Sequence, residues 1–355
     1  MFNIYFEVLN HTDQNKFLTE VHYFRAFAII NVILVHTWRI PESVADSRSL
    51  LIVNSLRELF FHGSTLYFLF ISGFLFYYLL PKFSTKKYFK SKFKNVISPY
   101  VFWTIISFIT LTLLIEPGKL FLTPVLWLND LFETILSGEA QTPYWYIPFI
   151  CIVFFISPFV LLIPEKIFEV LTALLCFIPL LGTRTGTDLT FYQFLYFIPT
   201  YFLGMCVAKN YQRTLALMHK YIYHLIAIAV FASIAIITVH YFDLTLLRVN
   251  LKEGLYFIQK TALTFVFLYL FYKLRDIKIP SFGYFAKYSF PLFFTHYLFS
   301  SQLIYPFFKL LPLNNLQSLI TASLLYAIMF PFVNLLLCIL LKKIMGNSSK
   351  PLLGV

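Results

Sequence analysis

The stretch FRAFAIINVILVHTW, residues 24–38, reads as a membrane span that opens on an arginine and carries a histidine near its end. An arginine at mid-bilayer costs on the order of 3 kcal/mol, so its presence asks for an offsetting role. On a helix, the eleven positions from Arg25 to His36, at about 100° each, bring the second residue back to within roughly 20° of the first, displaced by roughly 16 Å along the axis. The two side chains therefore share one face, three turns apart.

The rest of the chain repeats that apolar texture. Its 355 residues are 59% hydrophobic and 12% charged, with a mean hydropathy of +0.76, whereas soluble domains are about one quarter charged. This excludes an ordinary soluble enzyme and predicts an all-α, polytopic transmembrane helix bundle. Apolar runs of about 17 to 25 residues fall near 22–38, 60–80, 96–115, 144–164, 167–183, 190–208, 221–241, 254–272, 286–308 and 317–341, about ten spans. No polar block is long enough to fold separately, so one integral domain is expected over 1–355: a cytoplasmic segment 1–21, a membrane core 22–342 and a cytoplasmic tail 343–355. Without a cleavable leader at the start, the first span is expected to serve as the targeting signal. With both termini cytoplasmic, the inner segments carry roughly twice the Lys and Arg of the outer ones, as the positive-inside rule requires. Arg25 then lies at the inner end of the first span and His36 toward the outer half.

The formal charge of +12 follows from those flanking lysines and the attraction of anionic headgroups, so no nucleic-acid partner is predicted. Cys151, Cys176, Cys206 and Cys338 all sit in apolar segments without C-x-x-C spacing, and predict neither disulfides nor a metal site. Nor do His219, His224 and His240 have ligand spacing. The external segment 116–143 includes KLFLTPVLWLNDLFETIL, apolar at helical intervals around Asn129, Asp130 and Glu133, which predicts an amphipathic helix along the outer interface.

Several polar positions admit both a structural and a functional reading. Arg25 either snorkels to inner headgroups or binds a cation-seeking ligand, and His36 either caps the span or acts as a general base, since a neutral imidazole can take a proton near pH 7. Ser72 and Gly73 in HGSTLYFLFISGFLFYYLL make a small-residue notch suited to close helix approach. The basic run KKYFKSKFKNVISPYVFW, with Lys90, Lys92 and Lys94 ahead of Tyr100, serves topology or attracts the phosphates of a nucleotide-containing donor. Glu58 and His62 at the outer mouth of the second span are a solvated helix end or contacts for an acceptor. Lys260, inside the eighth span, needs a carboxylate partner or a watery cavity. For His296, deep in the ninth, a structural hydrogen bond competes with catalysis. Tyr144 and Trp145 fit an interfacial anchor or a platform for a sugar ring.

Taken in order, Arg25 with His36, FISGF (70–74), the basic loop ending in SPY (98–100), YWYI (144–147), YFLGM (201–205) and YSFPLFFTHYLF (288–299) resemble the acyltransferase 3 family of polytopic membrane acyltransferases. The resemblance runs across about four fifths of the chain. It implies a ten-helix enzyme of the bacterial plasma membrane that moves an acyl group, most often acetyl, from cytosolic acyl-CoA to a hydroxyl of lipopolysaccharide O-antigen, capsule, exopolysaccharide or a lipid-linked precursor. It implies catalytic roles for His36 and Arg25, a donor site including Ser72, and a role for His296. Acyl-CoA is then a co-substrate, with no permanently bound cofactor or metal. Where many members carry R-x-x-R in the basic loop, this sequence has Lys92 and Asn95. Lysine keeps the charge but lacks the bidentate fork. Further partners are membrane lipid and the glycan acceptor, and a homo-oligomer or a separate periplasmic acyl-relay protein stays open. The ending soon after the tenth span points to the stand-alone form of the family. The competing reading is a transporter or flippase of a lipid-linked sugar, against which stands the lack of paired interrupted helices in matching halves.

Overall fold

A computed structural model of the chain describes residues 18–115, 123–181, 184, 189–241, 251–313 and 315–355. The described residues are helical almost throughout. In chain order the helices are α1 Thr19–Thr37, α2 Ser47–Phe61, α3 Thr65–Tyr78, α4 Thr85–Lys92, α5 Ser98–Ile115, α6 Pro124–Ser137, α7 Tyr146–Val160, α8 Glu165–Leu175, α9 Phe191–Lys209, α10 Tyr211–Tyr241, α11 Leu251–Lys273, α12 Pro280–Lys287, α13 Ser289–Lys309, α14 Leu316–Met345 and α15 Ser349–Leu353. Large apolar side chains stand exposed along the outside of the bundle, Phe231 at 71% and Leu336 at 61% among them, which in water would be a liability and toward lipid is the expected surface.

Among the described residues, seven helical segments are long and apolar enough to cross a membrane: Ser47–Tyr78, Thr85–Leu114, Thr142–Val160, Phe191–Lys209, Tyr211–His240, Leu251–Lys273 and Leu316–Leu353. The difference from ten has identifiable causes. The predicted fifth span, 167–183, is broken into α8, 11 residues or about 16 Å of helix against a hydrocarbon thickness of about 30 Å, and a 3-10 turn at Ile178–Leu181, with 182–183 outside the described residues. The predicted first and ninth spans do form helices of 19 and 21 residues, but their polar content keeps them below the others in apolarity. α1 carries Glu20, His22 and Arg25, and α13 carries Thr295, His296 and Ser300. These are the two helices that bear the predicted histidines, and they pack on one another.

Three further segments take a definite form. Residues 47–59, which fall between the first two predicted spans, form with Phe60 and Phe61 helix α2, whose Asp46 cap accepts from the Ser49 amide at 2.8 Å and the Ser49 hydroxyl at 2.6 Å. Those bonds hold the Asp46 carboxyl below its ordinary range. The predicted interfacial helix exists as α6, but it runs antiparallel beside α5: Trp127 donates to Thr112 at 3.1 Å, and Tyr100 donates to the Ile135 carbonyl at 2.6 Å. Residues 116–122 of that prediction, like most of segment 1–21, lie outside the described residues. The predicted tail is docked, with Ser98 donating to the Pro351 carbonyl at 2.8 Å and Leu353 fully buried.

The closest helix pair, α3 against α9, is made by reciprocal glycines. A Cβ on Gly73 would lie 1.9 Å from the Tyr201 carbonyl oxygen, and one on Gly204 would lie 2.1 Å from that of Phe70. FISGF and YFLGM are thus two halves of one backbone-to-backbone contact, the close approach that small residues permit in membranes.

Candidate active site

α1 is continuous through both Arg25 and His36, so the shared face and the rise of roughly 16 Å hold. At the outer end, the helix stops one residue past His36, where the Trp38 amide still bonds back to Leu34. Arg39 then turns back, its Nε donating to the His36 carbonyl at 2.5 Å. Across from this end, α13 presents two consecutive aromatic residues to the imidazole. The His296 ring centroid is 5.3 Å from that of His36, and the Tyr297 ring is 5.5 Å away at 83°. The Arg39 guanidinium lies over the Tyr297 ring at 5.3 Å, a cation–π contact, and Arg57 of α2 is a charged neighbour of both His36 and Arg39. Among the described residues neither Arg39 nor Arg57 has a carboxylate within salt-bridge distance.

His296 is held rigidly. Its Nδ1 lies 2.8 Å from the Phe293 carbonyl and 3.0 Å from that of Leu292. Both are acceptors, so Nδ1 carries the proton and Nε2 is left as a lone pair. That Nε2 is buried and has no protein partner. The preceding residue locks the helix in place, the Thr295 hydroxyl being 3.0 Å from Asn334 Oδ1 on α14. One nitrogen of His296 is thus bonded within its own helix rather than to a neighbouring one, and the other is without a protein partner.

Arg25 occupies a different environment. Its Nη2 is 3.3 Å from His22 Nδ1, and its Nε is buried without a partner. On the same helix the buried Glu20 accepts from the Tyr211 hydroxyl at 2.8 Å.

The basic loop resolves its lysines. Lys90 and Lys94 are exposed, while Lys92 is half-buried, its Nζ 3.7 Å over the Phe154 ring and 5.2 Å from that of Tyr88. The turn that follows, Phe93–Ile97, is a π-helix, whose extra residue separates the facing of Lys92 from that of the helix beyond; such bulges favour functional sites. Tyr100 points to α6 rather than toward these lysines. Ser72, half-buried next to the Gly73 contact, neighbours the buried Tyr146.

The remaining predicted residues make contacts of their own. His62 Nε2 lies 2.8 Å from Glu253 and 3.0 Å from Arg184, and Glu58 accepts from Lys252 at 2.7 Å. These pairs tie the end of α2 to α11, with the Glu58 side chain 36% and the His62 side chain 22% exposed. Lys260 is fully buried and meets neither of its expected partners: its Nζ donates to the Phe60 carbonyl at 2.6 Å, while Gln259 reaches the Leu59 carbonyl at 3.3 Å. These are two of the last carbonyls of α2, which have no intrahelical partner. Trp145, expected at an interface, is 7% exposed inside the bundle, edge-on to Phe149 and against Phe197. Tyr144 is fully buried and donates to the Phe294 carbonyl at 2.7 Å.

Arg39, Arg57 and Tyr297 were missed in the sequence. Arg39 and Tyr297 had a signal, being three residues after His36 and one after His296; Arg57 had none without α2.

No curated protein and no solved structure gives a significant match. The family model described as the acyltransferase domain matches residues 18–343, taking in α1 through most of α14 and both histidines, and the chain therefore belongs to the acyltransferase 3 family.

Proposed function

We propose that this membrane acyltransferase is an O-acyltransferase of the bacterial inner membrane. It takes an acyl group, acetyl in the simplest case, from cytosolic acyl-CoA and places it on a hydroxyl of a cell-surface glycan such as lipopolysaccharide O-antigen, capsule or exopolysaccharide, or of its lipid-linked precursor. The observation that carries this reading is His36 at the end of α1, ring against ring with a buried His296 whose Nε2 is free.

A thioester is already activated, so the reaction needs a base for the alcohol and positive charge for the developing oxyanion. His36 accepts the hydroxyl proton as the alcohol oxygen bonds to the thioester carbonyl carbon. The C–S bond then breaks, and the CoA thiolate leaves and takes up a proton. Arg39 and Arg57, close to the imidazole and without carboxylate partners among the described residues, supply the positive charge. Lys92, turned inward at the end of α4, is suited to the donor's phosphates, and Arg25, three turns below the base, to a more distal part of the donor. The donor enters from the cytosol and the acceptor meets it from the outer side.

The test is acetyl transfer from acetyl-labelled CoA to membranes bearing the host's surface glycan, with wild type and His36→Ala compared. Label on the glycan that is lost in the folded variant supports the reading. Label that survives the variant removes His36 from catalysis. Movement of lipid-linked sugar across vesicles without acyl-CoA consumption would make the chain a transporter instead.

A further inference from the structure

One cavity next to this site has no assigned role. It has a volume of about 410 Å³ and is lined by Ser137, Glu139, Gln141, Thr142 and Trp145 with the backbone of Gly138. Small-ligand sites span about 300–1,000 Å³. It lies where the polypeptide returns between α6 and α7, and its position is fixed to the histidine-bearing helix: Tyr144 donates to the Phe294 carbonyl, two residues before His296, and Thr142 neighbours Tyr297, whose ring meets His36.

The cavity wall is built rather than incidental. Gly138 has φ +80, and a Cβ there would fall 2.7 Å from the Trp145 Cα, so the end of α6 closes on Trp145 only with glycine. Gln141 is 94% buried, at 6% exposure, with its Nε2 donating to Ser107 at 2.6 Å. That bond fixes the amide so that Oε1 is the spare acceptor, and neither Gln141 Oε1 nor the buried Ser137 Oγ has a protein partner. A buried amide oxygen left without a donor costs about 1–3 kcal/mol, which a hydroxyl-bearing ligand would recover. The Glu139 carboxylate adds further acceptors, Trp145 adds an aromatic edge, and none of the described lining residues is basic.

We infer that this cavity is the acceptor's saccharide subsite and that it takes a neutral, hydroxyl-rich sugar ring in preference to an acidic one. The inference rests on the proposed acyl transfer to a glycan and deepens it. Acceptor-rich walls match a ligand that donates many hydroxyl protons, and Glu139 opposes a uronate or phosphate at the same place. A sugar seated here would lie beside Tyr297 and present an adjoining hydroxyl toward His36.

The experiment is saturation-transfer NMR on the full chain in lipid nanodiscs, with glucose, galactose, mannose, rhamnose and glucuronate as separate probes. At least one neutral sugar should receive saturation, and glucuronate should not. Gln141→Leu should weaken that signal about fivefold, the weight of one hydrogen bond, and Ser137→Phe, which fills the cavity from its half-buried rim, should abolish it. Because Gln141→Leu also loses the Ser107 bond, its melting temperature is compared with that of Ser107→Ala; if it does not fold, Ser137→Phe decides alone. Signal from no neutral sugar, equal signal in folded variants, or stronger signal from glucuronate would each overturn the subsite. Acetyl transfer measured in parallel separates the two readings. Sugar binding abolished by Ser137→Phe in a wild type that transfers nothing keeps the subsite and rejects the enzyme assignment. Transfer with an unchanged acceptor KM in both variants keeps the enzyme and rejects the subsite.

Discussion

The His36 and His296 rings lie with centroids 5.3 Å apart, and the second ring is pinned by its Nδ1 to the carbonyls of its own helix. An imidazole fixed in one tautomer presents its Nε2 lone pair at a constant place, and so orients whatever proton donor stands opposite. His296→Phe keeps the ring and removes both nitrogens. We expect kcat to fall about ten- to a hundredfold, within the range of acid–base contributions, with little change in the KM for acyl-CoA. His36→Ala should lose more, about 10²–10⁴-fold. A His296→Phe enzyme with wild-type kcat and only a lowered melting temperature would reduce His296 to packing.

Lys92 differs from its neighbours in facing inward over Phe154. If the donor's phosphates meet it there, Lys92→Ala should raise the KM for acyl-CoA about tenfold or more, the weight of a charge-assisted hydrogen bond. Lys90→Ala and Lys94→Ala, whose side chains are exposed, should change it by less than about threefold, as screened surface charges do. Lys92→Arg tests the missing fork: a KM below wild type would show that bidentate phosphate contact is available at this position. Equal effects at all three lysines would leave a diffuse electrostatic surface in place of a site.

How much of this was legible in the sequence depended on whether the governing contact was local. The α1 pattern was legible because eleven helical positions fix a face regardless of surroundings, and the bundle class followed from hydropathy. α2 was not, although Asp46 and Ser49 form a capping pair, because its polar content reads as loop when only apolar runs are sought. Arg57 went with it. The break in the fifth predicted span was not legible because apolar composition does not distinguish an 11-residue helix followed by a 3-10 turn from one continuous helix. Trp145 read as an interfacial anchor because nothing local reports the fold of residues 138–145 against α13. Lys260 was recognised as needing a partner, but the partner is a backbone carbonyl from α2, and no sequence pattern announces a backbone group 200 residues away.

The paired glycines give a stability prediction with an internal control. Gly73→Ala and Gly204→Ala each place a methyl group against a backbone oxygen, 1.9 and 2.1 Å away, and backbone cannot rotate aside as a side chain would. Each should cost about 1–3 kcal/mol or more, seen as a large fall in melting temperature in detergent and loss of monodisperse protein. Gly283→Ala, with nothing within 4 Å of its Cβ, should be tolerated. Wild-type stability in Gly73→Ala would mean that α3 and α9 are less closely packed than this geometry states.

Lys260 supplies the last test, because its buried amine has a structural account. Its Nζ and the Gln259 amide reach the Phe60 and Leu59 carbonyls, where α2 ends and the chain turns through Gly63 at φ +72. A cation is favoured at a helix C-terminus by the macrodipole as well as by the carbonyl lone pairs. Lys260→Met keeps the stem, removes the donor and leaves a buried carbonyl unsatisfied, at about 1–3 kcal/mol. The melting temperature should fall, while kcat measured on the folded fraction stays within about twofold, since a surviving enzyme lacks only a cap and a twofold change is under about 0.5 kcal/mol. Loss of kcat by an order of magnitude or more without loss of stability would contradict this, and would place the lysine in the chemistry.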